Sequence, residues 1–412
     1  MKINYEKTYE SLIYIILFVL SLKYWGVYFS IAIVLTFLVM LIYLSQPNRY
    51  HFNNKVVPIY ILVLCIMMLI QFFRSRIVQP YMTLDYIFNE YGGCLLLPLA
   101  FPIYQILRKN KNQFLKNINK IGCTALGLKS LSWLLFNFFH INFGYYQLGG
   151  RVGFSRYFGN LLFYRISGTF LDGFLFTYTC YLIFRKETNN RKRLVAILEL
   201  AFLVFFAVVV YQSRSEIIFF LGTFLVMLIY TVNKKENKYL SMFFTLIFLT
   251  ILVILFKEKI LNFMDTFSIN SENGISTLVR QYEYSYFSQL WKKSNIWLGF
   301  GFFLDSGVFI NANITLWLSD MGILLQLYQF GILGFIISII PFGYGIILCF
   351  RILIKKGVTF LSIFVGFTAY YLLSLISFNP YLYVLYPLLP LYLGMQLYIS
   401  YFIRYSDKYN II

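Results

Sequence analysis

Stretches of about 17 to 22 apolar residues recur roughly a dozen times in this chain, each long enough to cross the hydrocarbon core of a bilayer as a helix. They are separated by short connectors that carry the charge: "RKNKNQFLKNINK", "RKETNNRKR" and "NKKENK" are the most basic. Such a pattern cannot be wrapped into a water-soluble core, because too little polar surface is left to cover it. Of the 412 residues, 60% are hydrophobic and only 12% are charged. The expected fold class is therefore an all-α polytopic membrane protein with about 12 transmembrane helices. The whole chain, 1–412, reads as a single integral-membrane domain. Span centres are expected near Ile15, Leu35, Leu64, Leu99, Ser130, Phe176, Leu203, Phe224, Phe248, Ile337, Thr368 and Leu391. The opening "MKINYEKTYESLIYIILFVL" has a basic start without a small-residue cleavage site, so its apolar run reads as the first span. Pro341, between Gly334 and Gly343, predicts a kink in the tenth span.

Basic residues in short loops stay in the cytoplasm. With both termini and the three basic connectors inside, 22 of the 35 Lys and Arg fall inside and 13 outside. Seven of the outer ones are arginines: Arg74, Arg76, Arg151, Arg156, Arg165, Arg214 and Arg280. A planar guanidinium grips phosphate at two points, and an outer face rich in arginine fits a phosphate-bearing ligand. The alternative is pairing with nearby carboxylates or lipid headgroups. The five cysteines all lie in apolar runs without a CxxC pair, and the two histidines, His51 and His140, are far apart. That composition argues against a zinc or haem site and points to no cofactor and no metal.

Two outer segments are long: residues 140–167 and 257–319. The second is too long for a passive connector and reads as a large extracytoplasmic loop. Within it "STLVRQYEYSYFSQLWKK" spaces Leu278, Tyr282, Tyr286, Phe287 and Leu290 as an amphipathic helix, with Ser276 as its N-cap. Exposed aromatics such as Tyr282 suit sugar rings, although an interfacial aromatic belt would use the same residues.

Three motifs occur in order. The first is "RISGTFLDG", with Arg165 and Asp172; the second is "QSRSE", with Arg214 and Glu216; the third runs from Arg280 through "WLGFGFFLDSG" to "SDMGILLQLYQFGILG". Together they resemble the bacterial O-antigen polymerase and O-antigen ligase superfamily, over roughly residues 160–345. The resemblance implies a type C glycosyltransferase-like fold in the inner membrane. It also implies metal-independent transfer of a glycan from undecaprenyl diphosphate at the outer face. Arg214 and Arg280 would bind the diphosphate, with Arg165, Arg151 and Arg156 as further phosphate contacts and Tyr282 as a sugar contact. In the ligase pattern a histidine stands about eleven residues before the glycine of "FGILG"; here that glycine is Gly331 and the position holds Asp320. An aspartate there resembles the polymerase branch, which joins lipid-linked repeat units of O-antigen or capsule. A ligase, or a flippase for the same lipid-linked oligosaccharide, is the alternative.

The chemistry asks for neutralised diphosphate charge and a base for the acceptor hydroxyl. Asp320 is the first choice of base, or else the N-cap of the tenth span. Asp172 and Glu216 are next, or else they neutralise Arg165 and Arg214. The implied partners are lipid-linked donor and acceptor, membrane lipids, a chain-length regulator and a flippase, with no nucleic acid.

Overall fold

The computed structural model describes residues 5–23, 28–46, 54–78, 92–143, 155–158, 161–185, 188–233, 274–302, 308–311, 314–316, 318–354, 361–377, 381 and 388–409. The helices are α1 (Tyr5–Leu22), α2 (Tyr28–Ser45), α3 (Val56–Val78), α4 (Ala100–Phe139, entered through a 3₁₀ turn over Gly92–Leu99) and α5 (Asp172–Phe184). They continue as α6 (Asn190–Phe205, extended by a π turn over Phe206–Val210), α7 (Arg214–Asn233), α8 (Gly274–Lys293), α9 (Leu324–Ile354), α10 (Leu361–Ser374) and α11 (Leu388–Tyr409). Two short antiparallel hairpins, β1–β2 (Ser155–Phe158, Leu161–Tyr164) and β3–β4 (Val308–Asn311, Ile314–Leu316), are the strands among the described residues.

Every expected span centre except Phe248, which lies outside the described residues, falls on a helical residue. By length and composition, six helical stretches among the described residues can cross a membrane: Tyr28–Ser45, Val56–Ile77, Gly92–Phe139, Asn190–Val210, Arg214–Thr231 and Leu324–Leu353. Their outward faces are apolar. Val34 and Leu41 on α2 are each 66% exposed, and Ile77 on α3 is 81% exposed. Each such side chain would gain about 1.5–3 kcal/mol on leaving water, so faces of this kind belong in lipid. The protein is a membrane-embedded helical bundle.

Inside the bundle α10 packs on α7, α11 on α4, and α1 on both α2 and α4. Phe176 of α5 stacks on Phe220 of α7 with centroids 4.4 Å apart and planes 6° apart. Polar contacts are few and specific. Tyr60 and Tyr381 share a hydrogen bond of 2.7 Å, and Tyr381 donates to the Ser338 carbonyl at 2.6 Å. Gln396 donates to the Pro341 carbonyl at 2.6 Å. These donors serve carbonyls beside a proline that lacks its own N–H.

Two local expectations are corrected. The basic stretch 108–120 is not a loop: α4 runs through it, with only Asn110 leaving helical geometry (φ −147°, ψ 66°). Lys, Arg, Gln and Asn side chains there reach polar surroundings while the backbone keeps its helical bonds. The interruption in the tenth span lies at Gly331 (φ 68°, ψ −168°) rather than Pro341, which sits inside α9. That backbone region is open to glycine alone. A side chain would also collide, since a Cβ on Gly331 would lie 2.3 Å from the backbone of Trp297. Gly331→Ala is thus expected to lower thermal stability sharply, with strain alone costing about 1–3 kcal/mol. Gly343→Ala, with nothing within 4 Å of the added Cβ, should be neutral or gain up to about 1 kcal/mol. Thermal unfolding of the two detergent-purified variants checks this contrast; equal melting temperatures would refute it.

Candidate functional site

The break at Gly331 exposes backbone groups that an unbroken helix would satisfy, and the "WLGFGFF" motif fills them. Phe300 N–H donates to the Tyr328 carbonyl at 3.1 Å, and Gly301 N–H donates to that of Gln329 at 2.7 Å. In return, Ile332 N–H donates to the Ile296 carbonyl at 3.1 Å, and Leu333 N–H donates to that of Trp297 at 3.3 Å. Gly299 (φ 67°) sits where its Cβ would lie 2.3 Å from the Gln329 carbonyl oxygen. From α3, Arg74 donates to the carbonyls of Leu298 (2.6 Å) and Gly299 (2.5 Å), and Gln71 donates to Leu298 (3.0 Å). Ser75 Oγ accepts from Phe302 N–H at 2.8 Å. One of the seven outer arginines therefore serves the backbone.

The "RISGTFLDG" motif is a tight turn leading into α5. The Asp172 carboxylate accepts from the Thr169 backbone N–H at 3.2 Å and from the Thr169 hydroxyl, while Thr169 Oγ1 accepts from Leu171 N–H at 3.2 Å. Ile166 N–H donates to Val210, the last residue of the π turn, at 3.2 Å. From α4, the fully buried Lys129 donates to the carbonyls of Ser167 and Gly168, both at 3.0 Å. The "QSRSE" motif opens α7. Gln212 there adopts φ 52°, and Ser213 Oγ accepts from Glu216 N–H at 3.3 Å, serving the first turn of the helix. Glu216 accepts from the Tyr370 hydroxyl of α10 at 2.6 Å.

These two motifs enclose a set of buried charges. Asp172 lies within electrostatic reach of Lys23, Lys129 and Glu216. All four side chains are buried, at 4% exposure or less. Two lysines and two carboxyl groups share a place where an unbalanced charge would be costly, so each side chain of one sign has a possible counterpart of the other. Asp172 and Glu216, expected near substrate, are thus committed to Thr169 and Tyr370 inside the bundle. Neither lysine figured among the expected site residues. A lone lysine in the apolar run "GLKSLSWLLF" was the available signal for Lys129.

The other expected residues are more open. Arg165 is half-buried; burial lowers its pKa, against the pull of Tyr211 and Asp320 nearby. Arg214, at the start of α7, is half-buried and within electrostatic reach of Arg280, which is exposed on α8. Asp320 is exposed within a 3₁₀ turn over Leu318–Met321 that packs against α8. It lies in the turn ahead of the tenth span, which begins at Leu324 beyond Gly322 at φ 57°. Three motifs far apart in sequence thus bring Arg165 within electrostatic reach of Asp320 and Arg214 within reach of Arg280.

The amphipathic face of α8 differs from the expected one. The helix begins at Gly274, before Ser276, and Tyr282 and Tyr286 point outward, 44% and 36% exposed. The inward stripe is Val279, Glu283, Phe287 and Leu290, against Leu316, Leu318 and Met321. Fully buried Glu283 occupies a position that the apolar pattern alone could not assign. Arg151 lies outside the described residues. Arg156 sits in β1, paired in register with Phe163. That hairpin is tied to α4 by Asn137, whose amide donates to the Tyr164 carbonyl (3.0 Å) and accepts from its N–H (2.7 Å).

No protein-family model matches the chain, and no curated protein matches it.

The geometry separates two kinds of arginine. Arg74→Ala is expected to lower stability by roughly 1.5–3 kcal/mol, the scale of a charge-assisted hydrogen bond to buried groups. Arg280→Ala, at an exposed position, should fall within about 0.5 kcal/mol of the parent. Chemical or thermal unfolding of both variants without added ligand tests this; the reverse order would show the assignment to be wrong.

Proposed function

We propose that this protein is a polysaccharide repeat-unit polymerase of the O-antigen or capsule type. It would transfer a glycan from undecaprenyl diphosphate to the non-reducing end of a lipid-linked repeat unit. The reaction would take place on the outer face of a bacterial inner membrane, with both termini in the cytoplasm. The observation that carries this reading is the approach of Arg214 on α7 to Arg280 on α8. Two guanidinium groups brought together repel one another, and a bound dianion relieves the repulsion. A diphosphate at headgroup depth supplies that charge, and each arginine fork can hold two of its oxygens. Arg165 would add to the neutralisation, and Asp320 would accept the proton of the acceptor hydroxyl. As the sugar–diphosphate bond breaks, negative charge grows on the leaving group, where fixed cations stabilise it most. Asp172 and Glu216 support the two motif turns in this reading, and Tyr282 offers an exposed ring for a sugar face.

The deciding experiment incubates purified protein with a lipid-diphosphate repeat unit and resolves the products by size. A ladder of chains is expected, persisting in excess chelator; unreacted substrate under all conditions would refute the function. Arg214→Ala and Arg280→Ala should abolish the ladder, and the lysine variants should recover little, because lysine lacks the fork. Asp320→Asn should slow chain growth by about 10² to 10⁴, the range for loss of a general base. A variant that still builds long chains at the parental rate would remove Asp320 from the chemistry.

A further inference from the structure

We propose that Lys129 is a positioning residue that fixes the turn carrying Arg165. It projects from the middle of α4, a helix outside the three motifs, and its side chain is fully buried. Its ammonium holds the carbonyls of Ser167 and Gly168, both at 3.0 Å, two and three residues beyond Arg165. Those carbonyls belong to a turn with non-helical backbone between β2 and α5, where no helical or strand ladder satisfies them and Gly168 is buried. The other side of the turn is fixed by Thr169 and Asp172, and its start by Ile166 on Val210. Lys129 is therefore the strut from the α4 side, and Asp172, within its electrostatic reach, offsets its charge. Arg165 leaves this turn toward Tyr211 and Asp320. An error of an ångström in the turn would be passed to the guanidinium.

The catalytic part of the inference rests on the polymerase reading; the positioning part does not, and the test separates them. A spin label is placed at Ser167→Cys in full-length protein, with the five native cysteines replaced by alanine. Lys129→Met is combined with Asp172→Asn, so that no buried charge is left unbalanced, and Asp172→Asn alone is the control. The double variant is expected to lose the immobilised component of the label's spectrum, while the control retains it. Lys129→Gln with Asp172→Asn, which keeps an N–H donor, should recover part of that component even if the Met variant folds poorly. An immobilised spectrum in the Met double variant, or identical spectra for Met and Gln, would overturn the inference. On the lipid-linked substrate, the Met double variant should lose roughly 100-fold in kcat, the scale of an ångström misplacement, with KM little changed. In an Arg165→Ala background the same change should cost nothing further; additive losses would overturn action through Arg165. If the parent protein makes no polymer, the functional reading fails and the label spectra still decide the role of Lys129.

Discussion

The break in α9 at Gly331 is the constraint on which the end of the bundle that carries α8 depends. A membrane helix that stops its own hydrogen bonding must find partners for the freed groups within the protein. Here they come from residues 296–301, which run past the break and exchange backbone hydrogen bonds on both sides of it. That segment in turn has carbonyls of its own to satisfy, and α3 supplies Arg74 and Gln71 for them. Because α8 leads directly into this segment, anchoring it also fixes where α8 ends. The exposed side chains of Arg280 and Asp320 are then carried by α8 and by the 3₁₀ turn packed against it. Their placement is a consequence of backbone satisfaction deeper in the fold.

A second layer lies beneath. The turn before α5 and the turn before α7 are both irregular, and both are held by buried polar side chains. Thr169, Asp172 and Lys129 hold the first, while Ser213, Glu216 and Tyr370 hold the second. Buried ions are tolerated there because each also makes hydrogen bonds and because the charges offset one another. Apolar residues could fill the same space, but they could not fix the carbonyls and N–H groups of two irregular turns. The cost of burying the charges is set against the definition they give to Arg165 and Arg214.

Much of this architecture was legible in the sequence. Apolar runs located the helices, and the centre at Phe248 falls outside the described residues; six helical stretches among the described residues are long and apolar enough to cross a membrane. Breaks were read less well. Proline at 341 was the obvious candidate, yet proline within a helix leaves only its own bond unmade, and Gln396 and Tyr381 donate to carbonyls around it. Gly331 carried the change of direction, and nothing local distinguishes it from Gly334. The face of α8 was misread for a related reason. Tyrosine counts as apolar in a periodicity, but at an interface it is as comfortable outside as inside. Phe287 and Leu290 stay on the inward face as expected, while Val279 and Glu283 take the places expected of Leu278 and Tyr282. Arg74 and Lys129 illustrate the remaining limit: a cation in an apolar run announces that something polar faces it, but only the tertiary structure says whether that is a carbonyl or a ligand.

That distinction separates the arginines and lysines of the three motifs and their neighbours. Fully buried Lys129 meets two carbonyls and half-buried Arg74 meets two more, so both hold backbone groups inside the protein. Exposed Arg280 lies within electrostatic reach of half-buried Arg214, so two positive charges share one region of the surface. Arg74 and Lys129 complete the backbone structure, and in the proposed reading Arg214 and Arg280 are placed for what they can attract. The carbonyls held by Arg74 and Lys129 are therefore a better guide to the role of those charges than their place in a motif, and in the proposed reading Arg214, at the start of α7, and Arg280, within α8, are the pair that binds an anion.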